Sequence, residues 1–191
     1  VSIEGFAGFE LDVYDLVVKV NQTTAAAGTL LDWTDLDLAF DVTALDALVI
    51  GGTLELGIAD AVLVGGSFTV SVNPAALVDG QAGSLLRLTL DDVNLFVGTG
   101  AVFDATTHGL IVLDGDESGF YVGLADLDYA ALTTAGGDVY TGIHFTAATV
   151  GIEGFAGFDL DVYDLVVKVN QTTAAAGALL DWTDLDLAFD V

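Results

Sequence analysis

The chain has no cysteine, no methionine, a single proline, and only three basic residues, Lys19, Arg87 and Lys168. Without cysteine there are no disulfides and no thiolate metal sites. Three cations stand against 29 acidic residues, giving a formal net charge of −26. Phosphate-bearing surfaces would be repelled, so nucleic acid and anionic membranes are expected to be poor partners. Hydrophobic residues make up 53% of the chain, yet the longest apolar region, 44–66, is broken by Asp46, Glu55 and Asp60. Each would be costly at the centre of a bilayer, so no transmembrane helix is expected. No signal peptide is visible, and the alanine-rich stretch 24–28 is too short for more than one helical turn. The two histidines, His108 and His144, lie far apart with no second imidazole for a zinc site. No nucleophile elbow, phosphate loop or Ser–His–Asp order stands out, and the chain is not expected to be an enzyme.

What is present is a repeat. Residues 1–42 recur as residues 150–191 at an offset of 149, and only three of the 42 aligned positions differ: Ser2/Gly151, Glu10/Asp159 and Thr29/Ala178. Divergence this small marks a tandem array whose copies are recent or kept alike by recombination. We read residues 1–149 as one full unit and residues 150–191 as the start of the next. The chain lacks an initiating Met, and it stops at Val191 where the first copy continues into Thr43. We therefore expect a window of about one and a quarter repeats (191 residues against a period of 149) within a much longer protein.

Period-2 alternation runs through the whole chain, as in Phe9, Leu11, Val13 against Glu10, Asp12, and again in Phe68, Val70, Val72. The fold class expected from this pattern is all-β, with many long, mostly antiparallel strands. Units are expected to stack end to end into an elongated array that covers strand edges, with a β-solenoid as the alternative. Turns are expected at the glycine, asparagine and aspartate clusters 51–52, 65–66, 79–84, 98–100, 114–119 and 135–138, and a strand end at Asn73-Pro74. The alternation slips by one residue at Val13-Tyr-Asp15-Leu16, Trp33-Thr-Asp35-Leu36, Ile58-Ala-Asp60-Ala61, Leu90-Asp-Asp92-Val93 and Leu124-Ala-Asp126-Leu127. Such slips predict β-bulges that keep one face buried, with the aspartates either tolerating the bulge geometry or contributing to Ca²⁺ sites.

The acidity has three competing explanations: Ca²⁺ binding, adaptation to high salt, or solvation of a very apolar repeat. Aspartate dominates, with glutamate only at 4, 10, 55, 117 and 153, which favours short carboxylates at turns and metal sites. The best local motif is Leu113-Asp-Gly-Asp-Glu-Ser-Gly-Phe120, the first half of an EF-hand-type loop. Asp114, Asp116 and Ser118 would offer side-chain oxygens and Phe120 its carbonyl. The closing bidentate glutamate is missing, and Asp126 lies one residue beyond its place. The alternative is an acidic Asp-Gly hairpin. Asp32, Asp35 and Asp37, copied at Asp181, Asp184 and Asp186, read as a solvated face. Asn21-Gln-Thr, repeated at Asn170, is formally a glycosylation sequon. Trp33 and Trp182 read as core residues.

Several segments together carry a resemblance: Gly66-Ser-Phe68, Leu88-Thr-Leu-Asp-Asp-Val-Asn-Leu-Phe-Val-Gly98, Asp114-Gly-Asp116, Tyr121-Val-Gly-Leu-Ala-Asp-Leu127, and Gly154-Phe followed by Leu160-Asp-Val-Tyr-Asp-Leu165. In this order they resemble the repeats of giant bacterial extracellular proteins of the RTX-adhesin-like kind. The resemblance implies secretion, attachment at the bacterial cell surface, and adhesive contact with surface glycans or other cells. The expected function is thus a structural or adhesive repeat in a stalk or fibre, with Ca²⁺ as the candidate cofactor and neighbouring repeats or identical chains as partners. The competing function is a carbohydrate- or protein-binding module that works by avidity, through loops such as 22–29 and 98–108.

Overall fold

The computed structural model describes residues 2–6, 8–24, 29–34, 42–59, 61–113, 117–175 and 177–183. The strands are β1 (Ser2–Phe6), β2 (Phe9–Val20), β3 (Leu48–Ile58), β4 (Val62–Val78), β5 (Gln81–Thr99), β6 (Ala101–Phe103), β7 (Leu110–Val112), β8 (Ser118–Thr134), β9 (Val139–Phe155) and β10 (Phe158–Thr172). The chain is all-β, as the alternation requires. Eight strands form one sheet in the order β1-β2-β3-β4-β5-β8-β9-β10, and β6 pairs with β7 in a separate small hairpin. Every pairing is antiparallel. Each strand of the main sheet thus lies beside its predecessor in a meander. A solenoid would instead stack successive coils, and that alternative is not what the strand order shows.

Tight hairpins make this topology local. Asp79 and Gly80 both have positive φ (46° and 76°) between the paired residues Val78 and Gln81, the two-residue turn whose twist matches the flanking strands. The predicted turn at 135–138 joins β8 to β9. Three of the predicted bulges are present, two with aspartate at the bend and a third at Leu124, where the β5–β8 register skips again between Val93 and Leu95. Asp15 (φ 50°) sits where the β2–β3 register skips between Tyr14 and Val17, and Asp92 (φ 52°) where β5–β8 skips between Leu90 and Val93. Aspartate enters the left-handed region more readily than most residues, which is why the motif carries it there. At 124–126 the left-handed residue is Leu124, and Asp126 is not. The slip at 58–61 is the β3–β4 connection instead of a bulge, with Ala59 left-handed. Residue 35 of the remaining motif lies outside the described residues.

Several predicted breaks are continuous strand. Gly51 and Gly52 pair with Thr69 and Phe68 inside β3–β4, and Gly65 pairs with Glu55. Gly52 is there for close approach: a Cβ on it would lie 2.9 Å from the Tyr14 carbonyl oxygen of the neighbouring strand. β4 also runs through Pro74, where the β4–β5 register shifts between Asn73 and Ala76; a bulge is where a strand can absorb a residue with no N–H.

The sheet is half-buried along most of its length, and its densest packing lies at one end. There Ala76, Val78 and Leu85 of the β4–β5 hairpin, Ala130 and Leu132 of β8, and Tyr140 of β9 close around Leu180 and Trp182. Those last two belong to the second sequence copy. The 149-residue period is also punctuated differently from the strands, since residue 150 falls inside β9.

Candidate functional site

The repeated segment occupies both ends of the strand order. The first copy forms β1 and β2; the second forms the end of β9 and all of β10. The two hairpins share one register: Ser2, Ile3 and Phe6 pair with Asp12, Leu11 and Phe9, and Gly151, Ile152 and Phe155 pair with Asp161, Leu160 and Phe158. Near-identical sequence thus folds identically at opposite edges of the sheet.

After each hairpin the chain is tied back by an asparagine. Asn21, 2% exposed, donates from Nδ2 to the carbonyls of Leu31 (2.8 Å) and Thr43 (3.1 Å), and its Oδ1 accepts from Trp33 Nε1 at 3.0 Å. Asn170 repeats the arrangement, donating to the Leu180 carbonyl (2.8 Å) and accepting from Trp182 Nε1 (3.1 Å). The amide is the right group because it supplies donors and an acceptor at one tip, so the indole is fixed with its N–H satisfied. The sequon at Asn21 is therefore structural: its amide nitrogen is buried and already committed to two carbonyls. The pairing of Asn21 with Trp33 was not legible in the sequence, because nearly every residue of both copies is the same and no position stands out.

What the two indoles pack against differs. Trp182 is 0% exposed in the core of the preceding unit, while Trp33 is only half-buried. Full burial of an indole removes roughly 150–250 Å² from water, a stabilisation on the order of 5 kcal/mol. The loop is anchored further where Asp181 N–H donates to Asp79 Oδ2 (3.2 Å) at the tip of the β4–β5 hairpin. Asp32 and Asp181 each accept from the threonine two residues on, which holds both carboxyls below their ordinary value. They serve as turn acceptors; the other acidic residues of those clusters, Asp35, Asp37, Asp184 and Asp186, lie outside the described residues.

A third cluster covers β2. His108, left-handed at φ 59° in the loop between β6 and β7, stacks on Tyr14 with ring centroids 3.6 Å apart and bonds Glu55 Oε1 through Nδ1 at 2.8 Å. Tyr14 Oη donates to the other oxygen of Glu55 (3.4 Å), and its hydroxyl is pushed above its ordinary value first by burial and then by Glu55. This role for His108 was missed because its partners come from β2 and β3, far away in sequence.

Of the residues expected to hold a metal, Asp114 and Asp116 lie outside the described residues. Ser118 opens β8 opposite Thr99, and Phe120 follows, exposed, between Val97 and Ile152. Asp126 is six residues farther along the same strand, roughly 20 Å away at about 3.3 Å per residue, so the fold holds it apart from them. Its Oδ1 instead accepts the Asp92 N–H (3.0 Å), and its Oδ2 accepts from Thr146 Oγ1 (3.5 Å). Nearby Asp91 is pushed up, first by burial and then by Asp126, Asp128 and Asp92. Among the described residues no three His, Cys, Asp or Glu side chains are grouped to hold a metal. Next to the 114–116 stretch, Glu117 Oε2 is buried with no hydrogen-bond partner among the described residues. Glu117, Glu153, Asp159 and Asp161 line an open cleft of about 680 Å³ beside the β9–β10 turn. No helix among the described residues is long and apolar enough to cross a membrane. No protein-family model, curated protein or solved structure matches the chain.

Proposed function

We propose that this chain is a structural, adhesive repeat segment of a long secreted or cell-surface bacterial protein, built to transmit length and stiffness along a stalk or fibre. One observation carries the reading: the second sequence copy inserts Trp182 into the core of the first unit, while its β10 pairs with β9 in the same sheet. Independent modules on a string would join through exposed linkers with few contacts. Here the junction is the best-packed part of the molecule. Ca²⁺ enters this reading as a stiffening ion at the 114–120 loop, supported by the Glu117 oxygen beside it that is buried without a partner among the described residues. Ligands there would be Asp114, Asp116, Ser118 and the Phe120 carbonyl, hard oxygens suited to that ion.

Small-angle scattering on chains carrying one, two and three repeats tests the stalk. The maximum dimension should rise by a constant increment per repeat; growth with the weak power of length typical of globules would reject it. Thermal unfolding in EDTA and then in Ca²⁺, at constant ionic strength, tests the ion. A rise in Tm with Ca²⁺ but not with Mg²⁺ or NaCl is expected, and it should vanish in Asp114→Ala; an unchanged Tm would remove calcium from the account.

A further inference from the structure

We infer that β10 is the seat of a further copy of β3, so that the 149-residue repeat propagates one continuous antiparallel sheet. The inference rests on the repeat reading above and adds how one repeat is joined to the next. Its basis is that β2 and β10 are the same strand seen with different neighbours. β2 has β3 along one side, with Phe9, Leu11, Val13, Val18 and Val20 opposite Ile58, Leu56, Leu54, Ile50 and Leu48. Over residues 9–12 it also holds β1 on its other side. A strand of this sequence therefore accepts both neighbours at once. β10 shows the second side in full, paired with β9 from Phe158 to Thr172, while no strand among the described residues pairs with its outer side.

The outer side of β10 carries the features that β3 uses on β2. Phe158 and Tyr163 are 55% and 65% exposed, whereas Phe9 and Tyr14, their copies beside β3, are half-buried. Asp164 already holds the left-handed bend (φ 52°) that Asp15 holds at the β2–β3 bulge, although the β9–β10 register does not skip there. The bend thus belongs to the strand and is preformed for a β3 partner. The geometry also closes. From β2 to β10 there are six strand steps, through β3, β4, β5, β8 and β9. Six is even, so β10 runs in the same direction as β2, which translational repetition requires. At about 4.8 Å per strand the sheet would advance about 29 Å per repeat. An exposed apolar edge of this length is otherwise an aggregation hazard.

The test is the full chain followed by a second copy of residues 43–191, compared with the chain itself by hydrogen exchange. In the longer chain the outward amides of β10 should exchange ~100-fold or more slowly, approaching those of β2 in the chain itself, because they join a ladder. Spin labels at Thr69→Cys and at its copy should show a narrow distance distribution near about 29 Å. Fast exchange in β10, or a broad distribution, would overturn the continuous sheet. The stalk proposal fails separately: a rod by scattering with unprotected β10 amides keeps the stalk and removes the continuous sheet, whereas protected amides in a compact particle do the reverse.

Discussion

Trp33 and Trp182 occupy the same place in two copies of one loop, yet one is half-buried and the other is sealed in a core. Their local ties are the same: each indole N–H reaches its asparagine, at 3.0 and 3.1 Å. The difference is what lies beneath. Trp182 has the ends of β4, β5, β8 and β9 under it, and these belong to the unit before it. The loop is thus self-sufficient in conformation but not in burial. The largest fully buried side chain in the core of residues 1–149 comes from the second sequence copy, and the pair of tryptophans measures that dependence directly. Trp182→Ala should destabilise the chain by about 3–5 kcal/mol, and Trp33→Ala by roughly 1 kcal/mol, in urea unfolding followed by circular dichroism. Equal costs would mean that the sealed site contributes nothing beyond the loop's own clasp.

Of the three positions at which the copies differ, Ser2/Gly151 has a structural reason. A Cβ on Gly151 would run into the Tyr121 ring and lie 2.8 Å from Asp161 Oδ1. Through the space it leaves, Tyr121 Oη donates to Asp161 across the intervening strand (3.3 Å). Making the copies alike by Gly151→Ser should therefore cost about 1–3 kcal/mol, as overpacking of a filled site does. An unchanged unfolding midpoint would show that the site can open without loss. Nothing in the structure explains Glu10/Asp159 or Thr29/Ala178.

The same contact makes a pH prediction. Tyr121 is pushed up to about 12, chiefly by burial and then by Asp161. The unfolded phenol ionises near 10. Below pH 10 both states hold the proton and the stability this group contributes is fully present. Between 10 and about 12 the unfolded chain releases the proton while the folded one keeps it, so stability falls as pH rises. Tyr121 is only half-buried, so solvent screening keeps the effect modest. Tyr121→Phe should flatten that alkaline loss in a series of urea titrations; an identical pH slope would place the loss elsewhere.

How much of this was legible in the sequence follows from the range of each interaction. Period-2 alternation reports which face a side chain takes within its own strand, so the all-β class and the bulges at Asp15 and Asp92 could be read. The Asp79-Gly80 hairpin is equally local, because its signal is the conformational freedom of two adjacent residues. Gly51, Gly52 and Gly65 carry the same letter for a different reason, close approach of something from another strand, and sequence alone assigns them to turns. Pro74 misled in the same way, since the bulge that admits it is set by β5. The loop at 114–120 was identified from residue spacing, but Asp126 was joined to it by nearness in number, and an extended strand converts six residues into distance. Both tryptophans read as core in the sequence; Trp182 is, Trp33 is half-buried, and the difference could be learned only from the fold.

The smallest effect concerns Tyr14 and Tyr163, the second matched pair. Both hydroxyls are raised, but for Tyr14 burial is the leading cause, and for Tyr163 it is the charge of Asp161. His108, stacked on the Tyr14 ring from the β6–β7 hairpin, adds cover to that of β3. His108→Ala should leave the sheet folded, expose the Tyr14 ring, and lower its titration midpoint toward the value of a free phenol. Glu55 would stay beside it and keep part of the elevation. Tyr163, which has no such cover, should titrate unchanged in the same sample, so site-resolved NMR reads variant and control together. If Tyr14 did not move, the difference between the two tyrosines would lie in β3 alone, and the hairpin would be a passenger on the sheet.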